Sequence, residues 1–493
     1  MRKLQRFLPG MNQMGFGRGP KTALAQLQAK RRELGRSSLS ELSGIFGCFF
    51  SEQLLRPTAK RKHSRQRVYS LRTTFWAFLS QVLSPRTACL EVVRKIQSHC
   101  SEQGLNIPSG SDSAYIQARG RLPMDRLRQG FEEVRTKMEQ QLKGSWKWHG
   151  RAVRVVDGTG ITLADTPENQ AVYPQPAEQR RGCGFPVMQV VGCFCLHTGA
   201  LLHWVSGKLT EHESPLLRRL LPLLQAGEIV LTDRGFSSYS NLALCQQQGL
   251  DAVMRLHQAR KIDLRQGKPL GKEDRLVLWE RPQIQKGWTP QQWNALPGAI
   301  AVRLLRLQIQ NRGFRPQQLV IVTTLTDPKI YTKEDLADLY YQRWQVELYF
   351  RDIKTSMQME QLRCKKPDRV EKEMIMFAIA YNLLRLLVVQ AACQYGHLRP
   401  NQISFKATAD TLRHYRQAFR TCMGKPRKMD RLWREMLEVI THEIIGDRPN
   451  RTEPRAVKKR PKNYQRMTTR RSKMKVAKSR RNKGKNRRVT ALS

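Results

Sequence analysis

The order of the hydrophobic segments between residues 151 and 256 is the feature that most constrains the fold. Five of these segments are short and rich in β-branched or aromatic residues, as strands are, and they occupy 151–157, 185–197, 200–207, 228–233 and 250–256. Two others have the apolar spacing of helices, at 214–227 and 238–249. The predicted order is therefore β-β-β-α-β-α-β, which favours an α/β fold with one central sheet.

The segments on either side of this core differ from it in composition, and they divide the chain into five predicted parts. A helical, basic N-terminal domain comes first, and a β-rich insertion separates the core from a second helical part. The predicted bounds are 1–148 for the N-terminal domain, 149–256 for the first part of the core, 257–328 for the insertion, 329–447 for the C-terminal helical part and 448–493 for a basic tail.

Charge indicates the kind of partner. The chain has 88 Lys and Arg residues against 40 Asp and Glu, a formal net charge of +48 at pH 7. Such a charge repels itself unless a polyanion is near, so nucleic acid is the predicted partner. An anionic membrane surface is the weaker alternative, because the basic residues do not flank an apolar span. Seven Lys or Arg residues between 56 and 72 predict DNA contact by the N-terminal domain, the alternative being a solvated helical face.

The segment 448–493 differs in kind from the rest of the chain. It contains 19 Lys or Arg residues and a single acid, Glu453, with few apolar residues. Such a segment cannot bury enough surface to fold alone, so we expect a disordered polycation. It would bind phosphates without recognising base sequence.

No membrane span is predicted, because no apolar run reaches the ~18 residues that a spanning helix needs. The nearest candidate is 376–393, which Asn382 and Arg385 interrupt, so a buried helix is the better interpretation. The N-terminus has no apolar signal segment, and the ten cysteines include no C-x-x-C pair. These features predict a cytoplasmic protein without membrane contact.

Three acids lie where a phosphoryl-transfer site would need them. Asp157 and Asp233 each end a predicted strand, and Glu347 lies in a predicted helix at 336–354. Open α/β sheets bind ligands at strand ends, and carboxylates suit Mg²⁺ or Mn²⁺. Two such ions could activate an attacking oxygen and stabilise a leaving one. Taken singly, each acid has an ordinary structural alternative: a turn for Asp157, a helix cap for Asp233 and a solvent-facing glutamate for Glu347.

The helix around Glu347 makes the catalytic interpretation stronger. At 100° per residue, Tyr340, Arg343, Glu347 and Lys354 share a face roughly 60° wide. An adjacent apolar stripe of Leu339, Val346, Phe350 and Ile353 would pack on the core. The helix would thus present a metal ligand, two phosphate-binding bases and a phenol at one edge. A structural helix with i,i+4 ion pairs could carry similar charges, but it would not need Tyr340 on that face.

The spacing Tyr340-(2)-Arg343-(3)-Glu347-(6)-Lys354 resembles the Y-(2)-R-(3)-E-(6)-K signature of the DDE transposases of insertion sequence family four. The segments 155–169, 183–192, 231–239, 323–354 and 362–367 resemble further blocks of the same family. The resemblance covers about 150–390. The first 140 residues and the tail have no counterpart on which we rely.

The resemblance implies a ribonuclease-H-like fold with a β-rich insertion before the Glu-bearing helix. It also implies that Asp157, Asp233 and Glu347 bind two Mg²⁺ or Mn²⁺ ions. DNA contacts are implied for Tyr340, Arg343, Lys354, Trp344 and Arg234.

The activity implied is cut-and-paste transposition, in many relatives through a DNA hairpin with a flipped base stacked on an aromatic ring. Trp279, Trp288, Trp293 and Trp344 are the candidates for that ring, and core packing is the alternative for each. The implied partners are double-stranded DNA of the terminal inverted repeats and the target, and a second copy of the chain. The implied setting is a bacterial or archaeal nucleoid.

Two other classes of function stay open at this point. One is a DNA-binding regulator without activity, which the three intact acids disfavour. The other is a different nuclease or recombinase on the same fold, which the complete Tyr-Arg-Glu-Lys helix disfavours.

Overall fold

A computed structural model of the chain describes residues 38–56, 68–102, 104–260, 262–309, 317–396 and 398–445, with Met467 and Arg470. Two basic segments singled out above lie largely outside these residues, namely most of the cluster between 56 and 72 and nearly all of the tail at 448–493.

A single mixed sheet of nine strands runs through the described part of the chain, in the order β3-β2-β1-β4-β5-β9-β8-β7-β6. The strands are β1 Val153–Thr162, β2 Val187–Cys195, β3 Leu201–Lys208, β4 Ile229–Thr232, β5 Asp251–Arg255, β6 Lys268–Gly271, β7 Asp274–Glu280, β8 Ala299–Ile309 and β9 Gln317–Thr323. Strand β4 is parallel to β1 and to β5, and the other neighbours are antiparallel. The predicted α/β class with a central sheet is confirmed.

The helices precede, follow and cover this sheet. They are α1 Ser38–Phe46, α2 Leu71–Leu83, α3 Cys89–Glu102, α4 Ser113–Arg121, α5 Met124–Gln140, α6 Pro167–Val172, α7 Glu213–Leu220, α8 Tyr239–Gln247, α9 Pro290–Asn294, α10 Lys333–Tyr341, α11 Gln345–Arg351, α12 Pro367–Tyr395, α13 Phe405–Cys422 and α14 Pro426–His442. The first five are the described helices of the predicted N-terminal domain.

Strand β1 is longer than the sequence pattern predicts. The pattern ended it at Asp157, whereas the strand continues to Thr162. It continues because β2 pairs with it along the whole length, from Arg154 opposite Cys195 to Thr162 opposite Val187. Asp157 therefore lies inside the strand, and the prediction that it ends the strand is wrong.

The strands predicted in the insertion join the main sheet. Strand β9 pairs with β5 over Val253–Arg255, and β8, β7 and β6 continue the sheet from β9. The insertion and the core therefore share one continuous set of backbone hydrogen bonds.

Two apolar layers cover the two faces of the sheet. Val155 and Leu231 belong to the layer that contains α12 and α11, and Val156 and Val230 belong to the layer with α7 and α8. Because side chains alternate along a strand, this assignment fixes the face of every other residue in β1 and β4. Asp157 shares the α11 face with Val155, and Gly158 faces α7.

Helix α12 is the long apolar helix that includes 376–393. It is the one described helix long and apolar enough to cross a membrane, and 94% of its apolar window is buried inside the protein. Its polar residues have partners there: the Asn382 side-chain amide exchanges hydrogen bonds of 2.9 and 2.8 Å with the backbone of Leu201. The Arg385 guanidinium donates to Asp352 at 2.7 Å. The prediction of a buried helix is confirmed.

The helix predicted at 336–354 is interrupted twice. A 3-10 turn at Gln342–Trp344 separates α10 from α11, and a π-helical turn at Asp352–Ser356 follows α11. The side chains of 336–354 therefore do not follow one another at a uniform 100° around a single helix axis. The apolar stripe is nevertheless buried as predicted, with Leu339 and Val346 fully so.

Candidate active site

Asp157 and Asp233 are brought together by the pairing of two parallel strands. Val153 lies opposite Ile229 and Val155 opposite Leu231, an offset that extends to Asp157 opposite Asp233. Neighbouring strands are about 4.8 Å apart, and residues in register point to the same face. Strand β4 ends at Thr232, so the Asp233 side chain lies at the open end of the strand beside Asp157.

Glu347 reaches this position from α11, which packs on the same face. The rings of Phe350 and Phe194 are 5.0 Å apart between centroids, which fixes α11 against β2. The Arg343 guanidinium, one turn before Glu347, donates to its Oε1 at 3.0 Å. The same guanidinium is 3.8 Å from Asp157 Oδ2. Arg343 thus bridges the helix acid and the strand acid.

The other two members of the motif also contact the strand ends. The Tyr340 hydroxyl donates to Asp233 Oδ1 at 3.2 Å, and the Lys354 ammonium donates to Thr159 Oγ1 at 3.0 Å. Lys354 lies in the π-helical turn, a local irregularity that often occurs at functional sites. Neither Arg343 nor Lys354 pairs with Asp352, the acid that a purely structural role would use, because Arg385 pairs with it.

The electrostatics of the site disfavour isolated negative charge. Burial, followed by the neighbouring charges of Asp233 and Glu347, raises the pKa of Asp157 above its ordinary value. The Gly158 backbone N–H, which donates to Asp157 Oδ1 at 2.8 Å, and Arg343 act in the opposite direction but do not cancel the increase. Burial is therefore the main reason that the charged form of Asp157 is disfavoured, and the neighbouring acids add to it.

The sequence interpretation missed a fourth acid, Glu213, the first residue of α7. Its Oε1 accepts a hydrogen bond of 3.0 Å from the Gln189 side chain. Burial, followed by the charges of Asp157 and Asp233, raises the pKa of Glu213. The only sequence signal was an acid in the first helical turn, which is ordinary on its own because it suits the helix dipole.

Divalent metal fits the chemistry of this donor set. The acids offer only carboxylate oxygens, which hard cations such as Mg²⁺ and Mn²⁺ prefer. In the described part of the chain, however, no three Asp, Glu, His or Cys side chains form a ready-made metal-ligand group. Arg343 lies between Asp157 and Glu347 and already neutralises part of their charge.

The remaining sequence candidates differ in exposure. Arg234 follows Asp233 on the surface and donates to the Gln258 side chain at 2.8 Å. Trp344, beside Arg343, is 56% exposed, whereas Trp279 and Trp293 are buried. Trp288 is half-buried and packs edge-on against Trp293, with ring centroids 5.3 Å apart. Trp344 is therefore the one of the four whose ring is free to meet a ligand near the acids.

Known proteins with similar sequences were found for most of the chain. It is 27% identical over 410 residues to the transposase InsG for insertion sequence element IS4 of Escherichia coli (strain K12), covering 81% of this chain and 88% of that protein. It is 21% identical over 261 residues to the transposase for insertion sequence element IS231B of Bacillus thuringiensis subsp. berliner, covering 45% and 53%.

Among solved structures, the chain is similar to the piggyBac transposase synaptic complex with hairpin DNA, at 11% identity and a TM-score of 0.38. That similarity covers 86% of this chain and 85% of the other.

A family model described as the transposase DDE domain matches residues 148–383, the segment that contains Asp157, Asp233, Glu347 and the intervening strands. The family model and the similarity to the IS4 transposase agree with the Tyr-Arg-Glu-Lys spacing. Residues 148–383 therefore form a transposase DDE domain, and most of the chain is similar to the IS4 transposase, which supports an IS4-family enzyme that acts on DNA.

Proposed function

We propose that the chain catalyses cut-and-paste transposition of an insertion sequence, cleaving and joining DNA strands at a site built from Asp157, Asp233 and Glu347. The observation that carries this proposal is the parallel register of β1 and β4. That register sets the two aspartates side by side, on the face that the Glu347 helix covers.

DDE transposases generally use divalent metal ions, and we propose two Mg²⁺ ions, or Mn²⁺, held by these three acids. Bound there, a metal pair would activate the attacking oxygen and stabilise the leaving oxygen. Tyr340 orients the Asp233 carboxylate through its hydrogen bond. Arg343 offsets the charge of Asp157 and Glu347 before metal and DNA arrive.

We assign the remaining motif residues to the transposon end. Lys354 and Arg343 lie beside the acids and would bind the phosphates that flank the scissile bond, since guanidinium and ammonium groups recognise phosphate. Arg234 is exposed immediately after Asp233 and would contact the same strand. The exposed Trp344 ring would stack on a base flipped out at a hairpin intermediate.

We propose that the parts of the molecule have the boundaries that the sequence predicts. Strands β1 to β5, with α10 and α11, would form the ribonuclease-H-like core, and 257–328 would form the insertion that extends its sheet. The helices before residue 148 and the basic tail would hold DNA. Two copies of the chain would bring the two terminal inverted repeats to a target duplex, in the cytoplasm of a bacterium or archaeon, at the nucleoid.

A cleavage assay on the element's own ends tests the proposal. Ala substitution of Asp157, Asp233 or Glu347 is expected to abolish cleavage, because each removes a group that acts on the transition state. Binding of the ends without divalent metal should be largely retained, because phosphate contacts dominate affinity.

Glu211→Ala is the matched control, since Glu211 is a glutamate of the same part of the chain whose carboxylate pairs with Arg219 at 3.3 Å. It should cleave at the wild-type rate. Full cleavage by an Asp233→Ala variant would show that the proposed site is wrong.

A further inference from the structure

Glu213 approaches the two aspartates from the opposite face of the sheet. It begins α7, whose buried residues Leu216 and Leu217 pack in the layer that does not contain α11. Gly158 points toward that layer, because it follows Asp157 on a strand whose side chains alternate. The Glu213 carboxylate therefore occupies the space that a side chain of residue 158 would fill, next to Asp157.

Gly158 makes room for this carboxylate, and Gly235 lies within contact distance of it. A Cβ atom on Gly158 would overlap Glu213 Oε1, so no larger residue fits there without displacing the glutamate. On the other side, a Cβ on Gly235 would lie 3.6 Å from Glu213 Oε2. One oxygen thus lies over the residue after Asp157, and the other lies near the residue two positions after Asp233. The Glu213 carboxylate thus lies between the segment that contains Asp157 and the segment that contains Asp233.

No basic side chain pairs with this carboxylate in the part of the chain that the structure describes, and the N-terminal end of α7 offsets only part of its charge. There, Glu213 accepts from the uncharged Gln189 amide and forms no ion pair, whereas Glu211, two residues earlier, pairs with Arg219. A partly buried carboxylate next to two other acids is unfavourable unless a cation joins them. A purely structural role would also call for a basic residue against this carboxylate, and the Gln189 amide carries no charge.

We propose that Glu213 is a fourth carboxylate of the divalent-metal site, acting with Asp157 and Asp233. This assignment rests on the proposed function, because it presupposes that those aspartates bind metal. Glu213 increases metal affinity from the α7 side of the sheet, while Glu347 acts from the α11 side. Because Gly158 has no side chain, the Glu213 carboxylate can approach the aspartates from the α7 side.

Metal binding by the full-length protein without DNA tests this directly. Mn²⁺ binding to the wild type, Glu213→Gln and Glu211→Gln would be measured by isothermal titration calorimetry, with Asp157→Asn as a benchmark. Glu213→Gln is expected to weaken Mn²⁺ binding about 10- to 100-fold, the range seen when groups that support a metal site are removed. Glu211→Gln should bind as the wild type does, and Glu213→Asp should recover part of the loss.

The benchmark separates failure of this proposal from failure of the proposed function. If Asp157→Asn also binds Mn²⁺ as the wild type does, the proposed metal site is wrong, and the assignment of Glu213 to that site is wrong as well. If Asp157→Asn weakens binding but Glu213→Gln does not, the assignment of Glu213 is overturned and the proposed function stands.

Melting temperatures without metal distinguish a structural role. A merely structural Glu213 predicts a lower melting temperature in the Gln variant and unchanged Mn²⁺ affinity, a result that overturns the proposal. Should Glu213→Gln fail to fold, Gly158→Ala makes the same test, since its methyl group displaces the carboxylate and leaves Glu213 charged. Wild-type Mn²⁺ affinity in Gly158→Ala would then overturn the proposal.

Discussion

Arg343 contacts two carboxylates in the structure, and it is also a proposed phosphate ligand. In the structure it neutralises Glu347 and Asp157, with N–O distances of 3.0 and 3.8 Å. The phosphate contact proposed for Arg343 at the transposon end would use the same guanidinium, so the arginine would exchange its carboxylate partners for DNA when the substrate binds. The exchange is favourable only when another cation takes over the charge of the acids. Metal and DNA binding should therefore depend on each other.

We expect Arg343→Ala and Lys354→Ala to reduce cleavage on the order of 10²-fold, because both side chains would, as proposed, position the strand near the acids. Non-specific DNA binding should change little, because it depends on many phosphate contacts. Single-turnover cleavage in saturating Mg²⁺ and filter binding of unrelated DNA would measure the two effects.

Arg351→Ala is the matched control, since Arg351 is exposed on the same helix and its nearest acid, Asp352, is 3.9 Å away. It should cleave normally. If both motif variants fold and cleave at the wild-type rate, the phosphate-binding role of this helix is wrong.

Asp157→Asn should stabilise the protein while it abolishes cleavage. The pKa of Asp157 is raised, so the folded chain binds this proton more tightly than the unfolded chain. Its contribution to stability is therefore greatest at acid pH and decreases as pH rises through the raised pKa. The Asn side chain does not titrate, so the stability of the variant does not decrease over this pH range for that reason.

Thermal melts without divalent metal would check this prediction. The variant should melt above the wild type at pH 7, and the difference should shrink toward pH 4. A lower melting temperature for the variant at pH 7 would contradict it.

At the scale of elements, the π-helical turn is held by α12. Asp352 is buried and accepts from the Arg385 guanidinium at 2.7 Å, and that guanidinium stacks 4.8 Å from the centre of the Tyr349 ring. The pair fixes the turn that carries Lys354 to Thr159. An element remote from the acids thus sets the position of one motif residue.

Arg385→Met is expected to cost about 3–5 kcal/mol of unfolding free energy, because it leaves the buried Asp352 charge with only the exposed Arg351, 3.9 Å away, as a partner. The double variant Arg385→Met, Asp352→Leu should recover much of this loss, because a paired apolar replacement removes both charges. Denaturant unfolding of the three proteins measures the difference. A double variant no more stable than the single one would show that packing, rather than charge, explains the effect.

Hydrophobic patterns predicted the elements of this fold better than their ends or irregularities. The β-rich character of the insertion, seen in β7 and β8, and the burial of the Val346 stripe follow from local periodicity, which the sequence contains. The length of β1 depends on pairing with β2, a contact distant in sequence. The 3-10 and π turns around Glu347 keep a nearly helical pattern, so periodicity does not detect them. Glu213 was missed because its partners, Gly158 and Gly235, come together only in the fold.

At the scale of the whole molecule, the charge of +48 is concentrated toward the end of the chain, with 19 basic residues after 447. Deleting 448–493 should weaken binding to all DNA sequences about equally. Each phosphate neutralised contributes roughly 0.9 to the slope of log affinity against log salt on duplex DNA, so the deletion should flatten that slope.

Binding titrations between low and physiological salt, on end-containing and unrelated duplexes, would test this. An unchanged slope would show that the tail does not contact the duplex. Loss confined to end-containing DNA would show that the tail recognises sequence.

The continuous sheet also fixes the distance between the acids and the far edge of the insertion. From β4, which leads to Asp233, to the edge strand β6 there are five strand-to-strand steps, a span of about 24 Å at ~4.8 Å each. This span corresponds to roughly seven base pairs of duplex at ~3.4 Å each. Because hydrogen bonds cross every step, the spacing cannot hinge as a linked module could. DNA held at the far edge of the insertion would be held a fixed number of base pairs from the bond to be cut.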